Sequence, residues 1–220
     1  DDVCTLDTCV DGGCLYDIQD IEGCCEPLPL EEDFEGTSPF GWSLQGGGGQ
    51  CTWQFLSGNQ SKSPTTALYY GNATAQNYNC GITSGNAVLG PISLQPEVEL
   101  SFSAQVWLDT EMGSFYDKLQ LRGKTDTGSG TIWTKGFETK KAWFEIKADL
   151  SAFAGRTIHL DWYFDTFDGT INDGKGVFID DMKITSTCAA VPCSFDSDCS
   201  DGFTFTSESC ESGTCSYSAP

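Results

Sequence analysis

Histidine occurs once in these 220 residues, at position 159, and basic residues are scarce: 11 Lys and Arg face 32 Asp and Glu, a formal charge of −21. A single histidine excludes most His-based triads and multi-histidine metal sites. The shortage of Lys and Arg excludes charge-driven binding of nucleic acid, which needs cations for the phosphates, and attraction to anionic lipid. No run of about 18 apolar residues occurs, so no membrane-spanning segment is expected. No charged-then-apolar leader stands at Asp1, so a secreted chain is expected to be already processed. No C-x-x-C pair is present either, which fits zinc poorly.

Cysteine, in contrast, is abundant, with 12 residues. That is too many for a reducing cytosol, so a secreted, extracellular or cell-surface protein with disulfides is expected. Charge and cysteine are both unevenly spread. Residues 1–33 hold 11 acidic and no basic residues, and 188–220 hold five acidic and no basic ones. All 11 basic residues lie in 34–187, beside 16 acidic ones, so the flanks carry −16 of the charge and ten of the cysteines. Composition divides the chain into an acidic Cys-rich segment (1–32), an ordinary globular one (33–187) and a second acidic Cys-rich one (188–220).

The middle segment reads as strands. Val98 to Leu108 alternates apolar and polar residues apart from Trp107, Asp117 to Arg122 does the same, and Ala142 to Ala148 alternates too. Thr157 to Phe164 puts Ile158, Leu160, Trp162 and Phe164 on one face. Period two with one wet face means antiparallel sheet. The joints are rich in Gly, Asn, Ser and Thr, and no long helix is indicated. An all-β fold is expected: an antiparallel β-sandwich of the jelly-roll, concanavalin-A-like kind, with small loop-rich disulfide-bonded flanks. Cys51 and Cys80 are the only cysteines of the middle segment, and their simplest pairing is with each other.

Certain residues carry a resemblance. The segment opens with Asp33-Phe-Glu-Gly36 and Gly41-Trp42, and closes with Gly176-Val-Phe-Ile-Asp-Asp-Met-Lys-Ile184 before Cys188. Between them stand Ala87-Val-Leu-Gly-Pro91, Tyr116-Asp-Lys-Leu119, Ile132-Trp133, Trp143 and Asp149-Leu-Ser-Ala-Phe-Ala-Gly155. Over roughly residues 33–188 this order resembles MAM domains and the related jelly rolls of secreted bacterial proteins. It is also similar to the sandwich of some carbohydrate-binding modules. The resemblance implies a structural calcium ion joining the first and last strands, a role it maps onto Glu35, Asp180 and Asp181. The residues lend separate support: period two sets Phe178, Asp180, Met182 and Ile184 on one face, and an aspartate among apolar neighbours must pair, protonate or bind a cation. The alternative is that Asp180 accepts backbone N–H groups. Asp109, Glu111 and Asp117 form a weaker acidic group, and Asp165 and Asp168 a third.

The two ends read as halves of one repeat. Thr5-Leu-Asp-Thr-Cys9-Val-Asp-Gly-Gly-Cys14-Leu-Tyr16 matches Thr206-Ser-Glu-Ser-Cys210-Glu-Ser-Gly-Thr-Cys215-Ser-Tyr217 in the pattern Thr-x-acid-[Thr/Ser]-Cys-x4-Cys-x-Tyr. Together with Cys193-Ser-Phe-Asp-Ser-Asp-Cys-Ser-Asp-Gly202, this is similar to an acidic Cys-rich repeat found in tandem in secreted bacterial proteins. Asp196, Asp198 and Asp201 also resemble a short calcium loop, which is weak as a single motif. Each flank has five cysteines: Cys4, Cys9, Cys14, Cys24 and Cys25 in one, Cys188, Cys193, Cys199, Cys210 and Cys215 in the other. With Cys51 paired to Cys80 both counts are odd, so a disulfide joins the flanks within a chain or crosses between chains. End-to-end contacts between copies would be heterologous and would make filaments unless they close.

No constellation for catalysis emerges. His159 sits on the polar face of its strand with Asp161 and Tyr163, and no G-x-S-x-G motif surrounds a serine. Trp107, Trp143 and Tyr163 fall on polar faces, which points to a ligand, a protein partner, or a loop folded over the sheet. The sequence is read as a non-catalytic extracellular adhesion or structural protein that assembles with copies of itself end to end into a fibre or surface layer, stabilised by calcium. The alternative is a carbohydrate-binding module of a larger secreted protein, with polysaccharide as the partner.

Overall fold

Alternation sets the faces of the strands, and the turn-rich joints set their ends. In chain order the strands are β1 (Thr5–Val10), β2 (Gly13–Ile18), β3 (Leu30–Glu32), β4 (Trp42–Gly46), β5 (Thr52–Ser57), β6 (Thr66–Gly71), β7 (Ser84–Ser93), β8 (Val98–Asp109), β9 (Lys118–Thr125), β10 (Gly128–Thr134), β11 (Phe144–Asp149), β12 (Thr157–Asp165), β13 (Gly176–Cys188), β14 (Ser207–Glu211) and β15 (Thr214–Ser218). Among the described residues the only helical turns are 3-10, at Ser151–Phe153 and Asp196–Cys199. None is long and apolar enough to cross a membrane. The computed structural model describes residues 5–10, 13–18, 30–36, 41–58, 60–94, 98–137, 139–188, 193–199 and 207–218.

The chain forms two compact units. One comprises Leu28–Pro96 and Leu100–Thr185, and the other Asp1–Pro27, Glu97–Glu99 and Ser186–Pro220. The first is an antiparallel jelly-roll sandwich. A five-stranded sheet runs β10-β9-β12-β7-β4 and a six-stranded one β11-β8-β13-β6-β5, with β3 paired to β13. The inward residues of the two sheets make the core: Leu119, Leu121, Leu160 and Trp162 from one, Leu100, Phe102, Val106 and Ile179 from the other, all buried. Truncating any of these leucines to alanine costs about 2–5 kcal/mol. β4, β6, β8, β10 and β12 all finish at the same end of the sandwich, and the loops that follow them cluster there.

One expectation about faces needs correcting. Phe178, Asp180, Met182 and Ile184 do not share a face. Asp181 has a left-handed backbone, φ 45°, and this kink breaks the alternation. Phe178 joins Tyr69 and Trp107 on the outer side of the six-stranded sheet, while Met182 and Ile184 turn into the core.

In the second unit the two matched ends form hairpins of the same register. Cys9 lies opposite Cys14 and Asp7 opposite Tyr16 in β1–β2. Cys210 lies opposite Cys215 and Glu208 opposite Tyr217 in β14–β15. Ser212 and Gly213, both with positive φ (55° and 86°), make the tight turn that suits a two-residue hairpin. Cys210 and Cys215 reach back to the preceding segment as Cys193–Cys210 and Cys199–Cys215. Their sulfurs cluster as two neighbouring disulfides rather than as thiolates available to a metal. These two bridges account for four of the five C-flank cysteines and leave Cys188. The side chains of Cys4, Cys9, Cys14, Cys24, Cys25 and Cys188, and those of Asp198 and Asp201, lie outside the described residues.

Candidate functional site

The outer face of the five-stranded sheet is built by period two. β9 contributes Lys118, Gln120, Arg122 and Lys124, and β12 contributes His159, Asp161, Tyr163 and Asp165. Register aligns them. Tyr163 stands opposite Gln120 on one side and Asn86 on the other, and Asn86 stands opposite Gln45. Gln120, Tyr163, Asn86 and Gln45 therefore form a row across four strands. The Arg122 guanidinium lies 3.7 Å from the Tyr163 ring centroid. Gln120 fixes it there, its Oε1 accepting from Arg122 Nη2 at 2.8 Å and Nε at 3.2 Å.

The next row locks the first. Asp161 is fully buried and accepts Asn86 Nδ2 on both oxygens, at 2.8 and 2.9 Å. Lys124 closes it with an ion pair at 2.8 Å. A carboxylate only accepts, so Asn86 must present its NH2 to Asp161 and its carbonyl oxygen elsewhere. Tyr163 donates its hydroxyl to Asp165 Oδ2 at 2.5 Å, and Asp165 Oδ1 accepts the Phe167 amide at 2.9 Å. Burial, followed by Asp165, raises the Tyr163 pKa, so the phenol is neutral at physiological pH. The face thus joins flat sp2 groups and half-exposed hydrogen-bonding edges.

Beyond Phe167 the loops present rings. Phe115 lies 5.5 Å from Tyr116 and 4.9 Å from Phe167, with Tyr116 and Phe167 6.4 Å apart. Nine large apolar side chains are exposed among the described residues, and seven belong to loops at this end of the sandwich: Ile82, Met112, Phe115, Tyr116, Phe137, Phe167 and Ile171. A polar network lies beneath. The Tyr78 hydroxyl donates to Asp117, and Asp117 Oδ2 also accepts the Glu111 amide at 2.6 Å. Lys135, buried, donates to Glu111 O at 2.8 Å and Thr110 Oγ1 at 3.1 Å. Burial pushes Asp117 up to about 6 and pulls Lys135 down to about 8.

The outer face of the other sheet is different. Trp107 is only 6 % exposed and packs with Ala67, Tyr69 and Phe178, with Trp143 alongside. Lys175 Nζ stands 5.9 Å over its ring and bonds Gln60 Oε1 at 3.2 Å. A cleft of about 450 Å³ lies beside Phe178, walled by Gln60, Gln76 and Lys175. Trp107 and Trp143 thus belong to a small secondary core under folded-over chain, while Tyr163 stands half-exposed on the other sheet.

The acidic residues singled out in the sequence have identifiable partners. Asp180 takes four donors: Lys62 N (2.8 Å) and Ser63 N (3.1 Å) on Oδ2, Ser63 Oγ and Asp181 N (both 2.8 Å) on Oδ1. Glu35 accepts Thr65 N at 2.8 Å, Thr66 N at 2.5 Å and the Thr65 hydroxyl. The hydroxyl bond and then the amides hold the Glu35 carboxyl below its ordinary pKa, whereas burial raises that of Asp180. Both carboxylates therefore grip segment 62–66. Asp181 is half-buried at the kink. Asp109 pairs with Lys141 at 2.9 Å, Asp168 caps Thr170, and Asp196 accepts the Cys210 amide at 2.8 Å. Glu111 Oε2 and Asp117 Oδ1 are buried without a hydrogen-bond partner.

No family model matches the chain, and none of the curated proteins does. Its fold is similar to several solved domains. The CBM22-1 xylan-binding domain of Paenibacillus barcinonensis Xyn10C aligns at 14 % identity over 74 % of this chain and 96 % of that one, with a TM-score of 0.45. TmCBM61, solved with β-1,4-galactotriose, aligns at 12 % over 67 % and 88 %, TM-score 0.46. The family 11 carbohydrate-binding module of Clostridium thermocellum, solved with a mixed-linked tetrasaccharide, aligns at 14 % over 71 % and 94 %, TM-score 0.43.

Proposed function

We propose that this chain is a secreted, non-catalytic carbohydrate-binding module whose ligand lies along the outer face of the five-stranded sheet. The observation that carries this reading is the aligned row Gln120–Tyr163–Asn86–Gln45 with Arg122 clamped over the tyrosine ring. Sugars present hydroxyls that both donate and accept, and C–H faces that pack on flat groups; amide edges beside a ring and a guanidinium answer both. Asp161, Gln120 and Asp165 hold those groups in place before a ligand arrives, which lowers the ordering cost of binding. The disulfides Cys51–Cys80, Cys193–Cys210 and Cys199–Cys215 support an oxidising, extracellular setting. The test is affinity electrophoresis through gels containing single polysaccharides. Retardation by at least one of them, lost in Tyr163→Ala, is expected; equal migration in every gel would sink the reading.

Assembly of copies is a second reading, favoured by the apolar loop tips around Phe115 and Phe167. Patches of this kind commonly mark protein interfaces. Sedimentation velocity tests it: concentration-dependent growth that Phe115→Ser with Phe167→Ser abolishes supports it, and a monomer at all concentrations refutes it. Calcium at Glu35, Asp180 and Asp181 is a separate proposal, and requires segment 62–66 to turn carbonyls toward the carboxylates in place of amides. A calcium-dependent rise in Tm, absent in Glu35→Gln, supports it; the same Tm in calcium and EDTA leaves the hydrogen bonds as the sole tie.

A further inference from the structure

We infer that the ligand of this face is an anionic polysaccharide, one bearing carboxylate or sulfate groups; the inference rests on the sugar-binding reading above. In a chain of charge −21, cations are concentrated here. β9 sets Lys118, Arg122 and Lys124 on one face by its period of two. Lys124 lies opposite His159. Arg156, exposed, lines with His159 a cleft of about 650 Å³ at the far end of the same strand pair. Four of the eleven Lys and Arg residues thus follow one track, about 20 Å long from Lys118 to Lys124 at the usual rise per residue.

The acids beside the track are already occupied or peripheral. Asp161 is fully buried beneath Lys124 and Asn86. Asp165 is taken by the Tyr163 hydroxyl and the Phe167 amide. Asp126 stands on the rim of the cleft. Among the described residues Lys118 and Arg156 form no ion pair. A ligand lying along the row therefore meets cations whose counter-charges face the protein. Residues 34–187, which hold all 11 basic residues beside 16 acidic ones, carry a net charge of only −5. Guanidinium groups suit planar carboxylates particularly well.

The experiment compares polygalacturonate, its methyl ester and a sulfated galactan by isothermal titration, at low and high sodium chloride, without added calcium. Polygalacturonate is expected to bind at least tenfold more tightly than its uncharged ester, and to weaken as salt rises. Lys118→Gln with Arg156→Gln is expected to lose roughly tenfold, the worth of two partly exposed charge contacts, with Tm unchanged. Lys147→Gln, a surface cation on the other sheet, is expected to change nothing. Preference for the sulfated galactan supports the same inference with a sulfate as the anion. Equal binding of ester and acid, or binding indifferent to salt, overturns the inference while leaving the sugar-binding reading intact. Failure of all three ligands, together with no retardation by any neutral polysaccharide, overturns both.

Discussion

Asp165 holds Tyr163 and Phe167 at once, accepting the phenol on one carboxylate oxygen at 2.5 Å and the backbone amide on the other at 2.9 Å. The sheet face and the ringed loop end are therefore mechanically joined through one side chain. Phe167 has a left-handed backbone, φ 67°, which is strained for a bulky residue and is held by that amide contact. Tyr163→Phe keeps the ring under Arg122 but frees Asp165. Affinity for the polysaccharide is expected to fall about 3- to 10-fold, the net worth of one hydrogen bond, and Tyr163→Ala is expected to fall further. Titration calorimetry reads both, and equal affinities for wild type and Tyr163→Ala would exclude the face.

Asp180 ties the last strand to segment 62–66. In Asp180→Asn the amide NH2 must face at least one backbone N–H, from Lys62, Ser63 or Asp181. A buried donor left without an acceptor costs about 1–3 kcal/mol. Urea denaturation of the variant is expected to show a loss of that size, and an unchanged midpoint would mean that the segment simply moves away.

The Asp117 carboxyl, raised from 3.8 to about 6, makes stability depend on pH in a definite direction. Its folded pKa lies above its unfolded value, so the folded state holds the proton more tightly. That advantage is complete below about pH 4 and is lost as pH rises through about 6. Relative to Asp117→Asn, wild type is expected to lose up to about 3 kcal/mol between pH 4 and 7, two pKa units' worth. Denaturation midpoints of both proteins across that range would show it, and parallel curves would contradict it.

Cys51 and Cys80, 29 residues apart, brace the loops after β4 and β6. In the chain-entropy account the bridge contributes about 3–4 kcal/mol. Cys51→Ala with Cys80→Ala is expected to lower stability by about that amount while keeping the sandwich, as read by thermal unfolding and circular dichroism.

Much of this fold is legible in the residues, because period two is a local signal. Ile158, Leu160, Trp162 and Phe164 declare a buried face, and the lone pair Cys51 and Cys80 declares its own bridge. The matched ends declare a shared pattern, but that each forms a hairpin, and in the same register, is seen only in the backbone. The row across the sheet was not legible beyond Tyr163. Gln45, Asn86, Gln120 and Tyr163 come from four strands, and nothing local says which residue faces which. The reading of Trp107 was limited in the same way. Its polar-face position is visible in the sequence, but the cover supplied by Lys175 and Gln60 depends on a loop that folds back over the sheet. At Asp180 period two suggests a carboxylate on one face with Phe178, Met182 and Ile184; the residue is buried, but that face does not exist. Period two could not reveal that the kink at Asp181 sends Met182 and Ile184 into the core, or that Asp180 meets the amides of Lys62 and Ser63.

The central claim is that the ligand lies on the outer face of the five-stranded sheet. Amide and side-chain chemical-shift mapping, with the oligosaccharide of whichever polysaccharide retards the protein, tests it most directly. The account predicts the largest shifts at Gln45, Asn86, Gln120, Arg122 and Tyr163, with Ser103, Gln105, Glu145 and Lys147 of the opposite sheet unmoved. Shifts confined to the other sheet, or to the cleft beside Phe178 and Lys175, would contradict it.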